Sequence, residues 1–177
     1  MFRKVCIIGC GLIGSSVARG IKKNKLASKV VSSNRSKNTN KKVMNLSIVN
    51  EASSDTKKMV RDSDLVIIAT PLSSYKNVIL TIKNSLKNGA ILTDVGSVKQ
   101  KVISLIEKNI PKNVSWISSH PIAGTEESGP EAGFSELFKN RWCILTPSKQ
   151  SRNQDVKLLE MFWKKLGSKV DIMDAKQ

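Results

Sequence analysis

The first fifty residues contain no aspartate or glutamate, against eleven lysines and arginines, so this end of the chain carries a strongly positive field. Aromatic residues are scarce as well: one tyrosine and four phenylalanines in 177 residues, with nothing that resembles a nucleic-acid-binding module. The net charge of +16 is therefore read as a compositional bias, lysines being scattered along the whole chain among Asn, Ser and Ile, and no nucleic-acid partner is assigned. No apolar run approaches the roughly 20 residues of a membrane span, and no membrane partner is expected. Cysteines number three, Cys6, Cys10 and Cys143, an odd count without metal spacing. That excludes a disulfide framework and predicts reduced, buried thiols in a cytoplasmic protein, with no metal. Histidine occurs once, at His120.

The N-terminus carries a decoy for an export signal. Arg3-Lys4 followed by the apolar Val5 to Ala18 has the outline of a signal peptide, and Ile7-Ile8-Gly9-Cys10 that of a lipoprotein cleavage box. Cleavage there would remove the first strand and half of the glycine turn described next, so the chain is read as cytoplasmic.

What is present begins at that turn. Gly9-Cys10-Gly11-Leu12-Ile13-Gly14 is a G-x-G-x-x-G sequence after Val5-Cys6-Ile7-Ile8, an apolar run suited to a strand buried on both faces. Val17, Ala18 and Ile21 follow at helical spacing. Between strand and helix, Gly9 permits the tight turn, Gly11 lets a pyrophosphate approach the backbone, and Gly14 lets helix and strand pack closely. The phosphates would meet unpaired N–H groups at the positive end of the helix.

Strand and helix then alternate to the end, without repeats or an obvious linker. Lys29–Ser33 reads as a second strand, followed by a polar loop and a short helix up to Lys42. Asp64–Thr70 is a buried strand stopped by Pro71, and Ser73 or Ser74 caps a helix striped by Val78, Ile79, Ile82 and Leu86. Ala90–Val95 is a strand and Val98–Ile110 a helix. Val114–Ser118 and Trp142–Leu145 are shorter strands flanking a Gly-rich loop. Val156 to Leu166 line a final helix closed by Gly167, and Val170–Met173 ends the sheet. The length suits one domain over residues 1–177, large enough to bury roughly 70% of its unfolded surface. The pattern predicts an α/β protein with a doubly wound, mostly parallel Rossmann-type sheet and helices on both faces.

An NAD site usually places Asp or Glu about 20 residues beyond the glycines, on the ribose 2′-hydroxyl. Here that count reaches Asn34, in Ser33-Asn34-Arg35-Ser36. Arg35 can fork onto a 2′-phosphate and Ser36 can donate to it, so NADP is favoured over NAD. The alternative has Asn34 on the ribose hydroxyls and Arg35 solvated. Asn-Arg-Ser also resembles the Asn-Arg-Thr of NADP-dependent 6-phosphogluconate dehydrogenases.

Chemistry belongs at the carboxyl ends of the strands, where Thr70-Pro71, Asp94-Val95-Gly96-Ser97 and Ser119-His120-Pro121 fall. Neutral imidazole is a suitable base for a hydroxyl proton lost as hydride leaves the same carbon, and Ser97 could orient His120. A lone histidine is more often structural, and both readings stay open on this ground alone.

Gly-Cys-Gly-Leu-Ile-Gly-Ser-Ser, Thr93-Asp94-Val95-Gly96-Ser97-Val98-Lys99 and the run His120 to Gly129, with Trp142 to Pro147, closely resemble prephenate and arogenate dehydrogenases. The resemblance runs in order from Val5 to about Asp174. It implies oxidative decarboxylation of prephenate or arogenate in tyrosine biosynthesis. His120 then matches the histidine that takes the ring-hydroxyl proton while C4 gives hydride to the nicotinamide, and Ser97 the serine that bonds both. Gly124, Thr125 and Glu126 would sit at the mouth of the substrate pocket. Asn34 departs from the acid of NAD-preferring members. The family also has a C-terminal helical domain that forms the homodimer and supplies an arginine for the substrate carboxylate. This chain ends at Gln177, about where that domain should begin, so poor turnover is expected of it alone. A β-hydroxyacid-type dehydrogenase and a non-catalytic dinucleotide-binding module are the alternatives.

Overall fold

The computed structural model describes residues 1–97 and 99–174. Its frame is one sheet of eight strands: β1 (Phe2–Ile8), β2 (Ala27–Ser33), β3 (Glu51–Ser53), β4 (Leu65–Ile68), β5 (Ile91–Asp94), β6 (Ser115–Pro121), β7 (Trp142–Pro147) and β8 (Lys169–Ile172). Their spatial order is β3-β2-β1-β4-β5-β6-β7-β8. Every neighbouring pair is parallel except β6 with β7. The order reverses between β1 and β4, the point at which an open α/β sheet splits its crossovers and leaves a crevice.

Period-two alternation makes the apolar runs two-faced. Val5, Ile7, Leu65, Ile67, Ile91 and Ile117 enter one core, with Val17 and Ile21 of α1 (Leu12–Asn24) and Leu159, Phe162 and Trp163 of α6 (Asn153–Lys165). Cys6, Ile8, Val66, Ile68, Leu92 and Trp116 enter the other, with Tyr75, Ile79 and Ile82 of α4 (Tyr75–Ile82) and Ile103 and Ile106 of α5 (Lys99–Glu107). Edge-to-face rings close the first core, Phe162 on Trp163 at 5.7 Å and Phe138 on Trp163 at 5.3 Å between centroids. The expected doubly wound, mostly parallel architecture is thus the observed one.

Several boundaries differ. The polar stretch after β2 folds as α2 (Lys37–Asn45), capped by Ser36 through the Thr39 N–H. β3 and α3 (Thr56–Val60) were not expected; a three-residue strand and a five-residue helix are too short to show periodicity. Neither Ser73 nor Ser74 caps α4: a 3₁₀ turn over Leu72–Ser74 leads into it, and the Ser74 hydroxyl donates back to the Pro71 carbonyl. The helix ends at Ile82, short of Leu86. Val98, expected to open the fifth helix, lies outside the described residues. The expected strand ending at Ser118 runs on to Pro121, because antiparallel pairing with β7 carries the ladder through His120, opposite Ile144. Gly167 closes α6 as expected, at φ +104° with its N–H on the Lys164 carbonyl.

Candidate functional site

At the carboxyl ends of β1, β2 and β4 the chain forms a cleft of about 410 Å³. Gly9, Cys10 and Gly11 line one side, Asn34, Arg35 and Ser36 another, and Thr70 and Pro71 a third. Seven of the expected cofactor residues, Gly9, Gly11, Asn34, Arg35, Ser36, Thr70 and Pro71, are therefore brought together. Leu12, Ile13 and Gly14 stand behind them in the first turn of α1.

The three glycines differ in the space around them. Gly9 has φ +92°, a left-handed conformation that L side chains rarely adopt. A Cβ on Gly14 would lie 2.1 Å from the Gly9 carbonyl oxygen and 3.2 Å from Ile7 Cγ2, so helix and strand meet there at backbone distance. A Cβ on Gly11 would meet nothing within 4 Å, which leaves room for a ligand over the turn. No side chain caps α1 and its first turn holds no acidic residue, so its N–H groups and dipole remain available to an anion. No Asp or Glu is among the described residues lining the cleft. The Thr70 hydroxyl oxygen is buried beside Gly9 without a hydrogen-bond partner. Open space over Gly11, an uncapped helix start and an unpartnered hydroxyl all fit a dinucleotide.

Asn34 is held inward. Its Oδ1 accepts the Cys10 N–H at 2.7 Å, and its Nδ2 donates to Ser32 Oγ at 2.9 Å and to Asn40 Oδ1 at 3.0 Å. Its side chain braces the glycine turn, while Arg35 and Ser36 beside it are exposed. Ser54 donates to the Asn34 carbonyl at 2.8 Å, and Ser33 and Thr56 share a hydrogen bond of 2.8 Å. Ser54 and Thr56 also line the cleft. Neither was foreseen, since both depend on β3 and α3. Burial pushes the Cys10 thiol up to about 11, against the Ser32 hydrogen bond, and Cys6 behind it up to about 12. All three cysteines are buried thiols outside any disulfide, as expected.

The expected catalytic and substrate residues do not line this cleft. His120 is half-buried on β6, Ser97 is exposed in the turn after β5, and Gly124, Thr125 and Glu126 are exposed in the loop after Pro121. A buried carboxylate, to which sequence reasoning gave no role, joins the segment carrying His120 to the turn carrying Ser97. Asp94 accepts the Ser118 hydroxyl at 2.8 Å and the Ser119 N–H at 3.1 Å, two and one residues before His120. It also accepts the Gly96 N–H at 2.9 Å, one residue before Ser97. Ser118 and His120 share a strand face by alternation, so the carboxylate stands on the His120 side of β6. Trp163 and Thr93 hold Ser119 on the opposite face. Among the described residues, no three His, Cys, Asp or Glu gather where they could hold a metal, and no helix is long and apolar enough to cross a membrane.

Residues 17–172 match the family model described as prephenate dehydrogenase, nucleotide-binding domain. A cyclohexadienyl dehydrogenase from Zymomonas mobilis is 34% identical over 175 residues, 99% of this chain and 59% of that protein. The crystal structure of prephenate dehydrogenase from A. aeolicus, in complex with hydroxyphenyl propionate and NAD+, superposes with a TM-score of 0.91 at 27% identity, covering 99% of this chain and 61% of the other. Synechocystis arogenate dehydrogenase superposes with a TM-score of 0.90 at 25% identity, over 97% and 60% of the two chains. This chain thus spans about three-fifths of each of these longer proteins.

Proposed function

This chain belongs to the prephenate dehydrogenase family, and on that premise we propose that residues 1–177 form the dinucleotide-binding domain of a prephenate or arogenate dehydrogenase that prefers NADP. The observation that carries this reading is the cleft, in which an open glycine turn faces Arg35 and Ser36 across a floor free of carboxylates. An acidic residue there would repel a 2′-phosphate. In its place Arg35 offers a planar, permanently charged fork, and the exposed Ser36 a hydroxyl. Asn34, occupied in bracing the Cys10 N–H, leaves the phosphate to its neighbours.

When bound, the nicotinamide supplies a hydride acceptor. The chain's own part is to hold the alcohol and take its proton. The imidazole of His120 accepts the proton of the ring hydroxyl as the carbon bearing it loses hydride. The Ser97 hydroxyl bonds the same oxygen and keeps it in line with the imidazole. Cleavage of the bond to the ring carboxylate then releases carbon dioxide and sends its electron pair through the ring to the carbonyl oxygen, which takes the proton back from the His120 imidazolium, so the product leaves as a phenol. Gly124, Thr125 and Glu126 border the substrate. With this reading we also propose a homodimer and an arginine that grips the substrate carboxylate, both supplied from a helical domain, as the family resemblance implies.

Titration with NADPH and NADH, on wild type and Arg35→Ala, tests the cofactor assignment. NADPH should bind more tightly to wild type, and Arg35→Ala should weaken NADPH about tenfold with NADH within twofold. Equal NADPH affinity in the two proteins defeats the NADP assignment. With the helical domain supplied, prephenate turnover should disappear in His120→Ala while NADPH affinity holds. Undiminished turnover in that variant defeats the catalytic assignment.

A further inference from the structure

Gly129 and Pro130 complete the lining of the cleft, although they belong to the loop between β6 and β7, far along the chain from the glycine turn. Contacts with α1 bring them there. Arg19 Nη1 donates to the Pro130 carbonyl at 2.8 Å, and the Phe134 N–H donates to Ser16 Oγ at 3.1 Å. Gly133 lies directly against the helix. A Cβ at that position would sit 2.2 Å from Ser15 Oγ, 2.5 Å from Arg19 Nη1 and 3.0 Å from the Ser16 nitrogen. Lys42 on α2 adds an ion pair to Glu131 at 3.2 Å. The loop that starts beside His120 thus returns across the first helix and is fastened one to two turns beyond the phosphate-binding end.

We propose that Arg19 is a positioning residue, holding the 129–134 segment as a further wall of the dinucleotide cleft, so that cofactor affinity depends on a segment from the other half of the sheet. The proposal rests on the dinucleotide reading above. Arg19 could instead act by charge alone, attracting an anionic ligand from one side of the helix. Gly133 separates the two explanations. Its φ of −67° is open to any residue, so Gly133→Ala meets only the contact with Ser15, Ser16 and Arg19. It displaces the segment without changing any charge.

The test is NADPH and NADH titration of the whole chain, followed by nucleotide fluorescence, with circular dichroism to establish folding. Arg19→Ala and Gly133→Ala should each weaken the tighter-bound nucleotide by about fivefold or more, on the scale of one lost hydrogen bond. Lys22→Ala, which removes a charge from the same helix without touching the segment, should stay within twofold. Should Gly133→Ala not fold, Ser16→Ala takes its place, since it deprives the Phe134 N–H of its acceptor. By linkage, bound nucleotide should also slow hydrogen exchange at the Phe134 amide in wild type. Wild-type affinity in either Arg19→Ala or the segment-displacing variant, or an unchanged Phe134 exchange rate, overturns the proposal. A wild type that binds neither nucleotide removes the dinucleotide reading and this inference together, whereas a binding wild type with undiminished variants removes this inference alone.

Discussion

The Tyr75 hydroxyl donates to Asp94 Oδ2 at 3.0 Å, with both side chains buried. The same oxygen takes the Gly96 N–H, while Oδ1 takes the Ser118 hydroxyl and the Ser119 N–H. One carboxylate therefore ties the start of α4 to the turn carrying Ser97 and the strand carrying His120. The β5–β6 ladder pairs Ile91 with Ser115 and Leu92 with Trp116, and beyond these positions Asp94 takes over the bridging. Burial first, and then the Asp94 charge, raise the Tyr75 phenol above its ordinary value, keeping it a donor.

Asp94→Asn should destabilise the protein by about 2–3 kcal/mol, despite its near-identical shape. Oδ2 accepts the Gly96 N–H and Oδ1 the Ser119 N–H, so either orientation of an amide sets its NH₂ against a backbone donor. Tyr75→Phe removes one hydroxyl donor and should cost about 1 kcal/mol. Urea denaturation of both variants checks this, and equal losses would show that the paired amides do not control the site. Because His120 is the only histidine, its imidazole proton resonance is identified by composition alone. That resonance should shift in Asp94→Asn and hold in Tyr75→Phe.

Gly11→Ala and Gly14→Ala should fail in opposite ways. Gly11 has φ −78° and empty space where a Cβ would go, so its alanine variant should melt within a few degrees of wild type yet lose nucleotide affinity about tenfold or more. At Gly14 the Cβ would press on the Gly9 carbonyl at 2.1 Å, backbone against backbone, and about 3 kcal/mol or more of stability should go. Thermal melts combined with NADPH titration separate the outcomes. A Gly11→Ala protein that binds normally would place the phosphates elsewhere.

The glycine turn was legible because its function is local: strand, turn and helix adjoin in sequence and each glycine answers a nearby contact. The sheet was legible for the same reason, since Leu65–Ile68 and Val5–Ile8 are buried on both faces and read as unbroken apolar runs. Asp94 was invisible as a hub because its partners, Tyr75, Ser118 and Ser119, come from separate elements and none is unusual in its own neighbourhood. Gly129 and Pro130 fall in what reads only as a Gly-rich loop between two strands, and the return of that loop across the first helix places them at the cleft. His120 was expected just beyond a strand that in fact includes it, since Pro121 suggests an end but, as the last ladder residue, it needs no N–H.

Native thiols should resist labelling. Cys10 lies in the glycine turn itself, yet it is buried and its thiol is pushed up to about 11, so little thiolate exists at pH 8. Ellman's reagent at that pH should release almost no colour within minutes from the folded chain, and three equivalents once urea is added. One rapid equivalent from native protein, mapped to Cys10, would mean that the turn opens readily to solvent.

Asp64 should govern part of the acid stability. Its carboxylate accepts the Arg3 N–H at 2.7 Å and pairs with Lys87 Nζ at 2.5 Å, joining β4 to β1 at the end of the sheet away from the cleft. Burial alone would raise this carboxyl, but Lys87 and the Arg3 and Lys4 amides outweigh it and hold it below its ordinary value of 3.8. A carboxyl depressed by folding contributes its full stability above the unfolded value, near pH 4, and loses that contribution as pH falls through the folded value. Asp64→Asn should therefore cost about 1–2 kcal/mol at pH 7, a deficit that shrinks steadily from about pH 4 downward. Urea melts at stepped pH follow the difference. A deficit that stays constant down to pH 2 would assign the loss to hydrogen-bond geometry, because the charge of Asp64 would then contribute nothing.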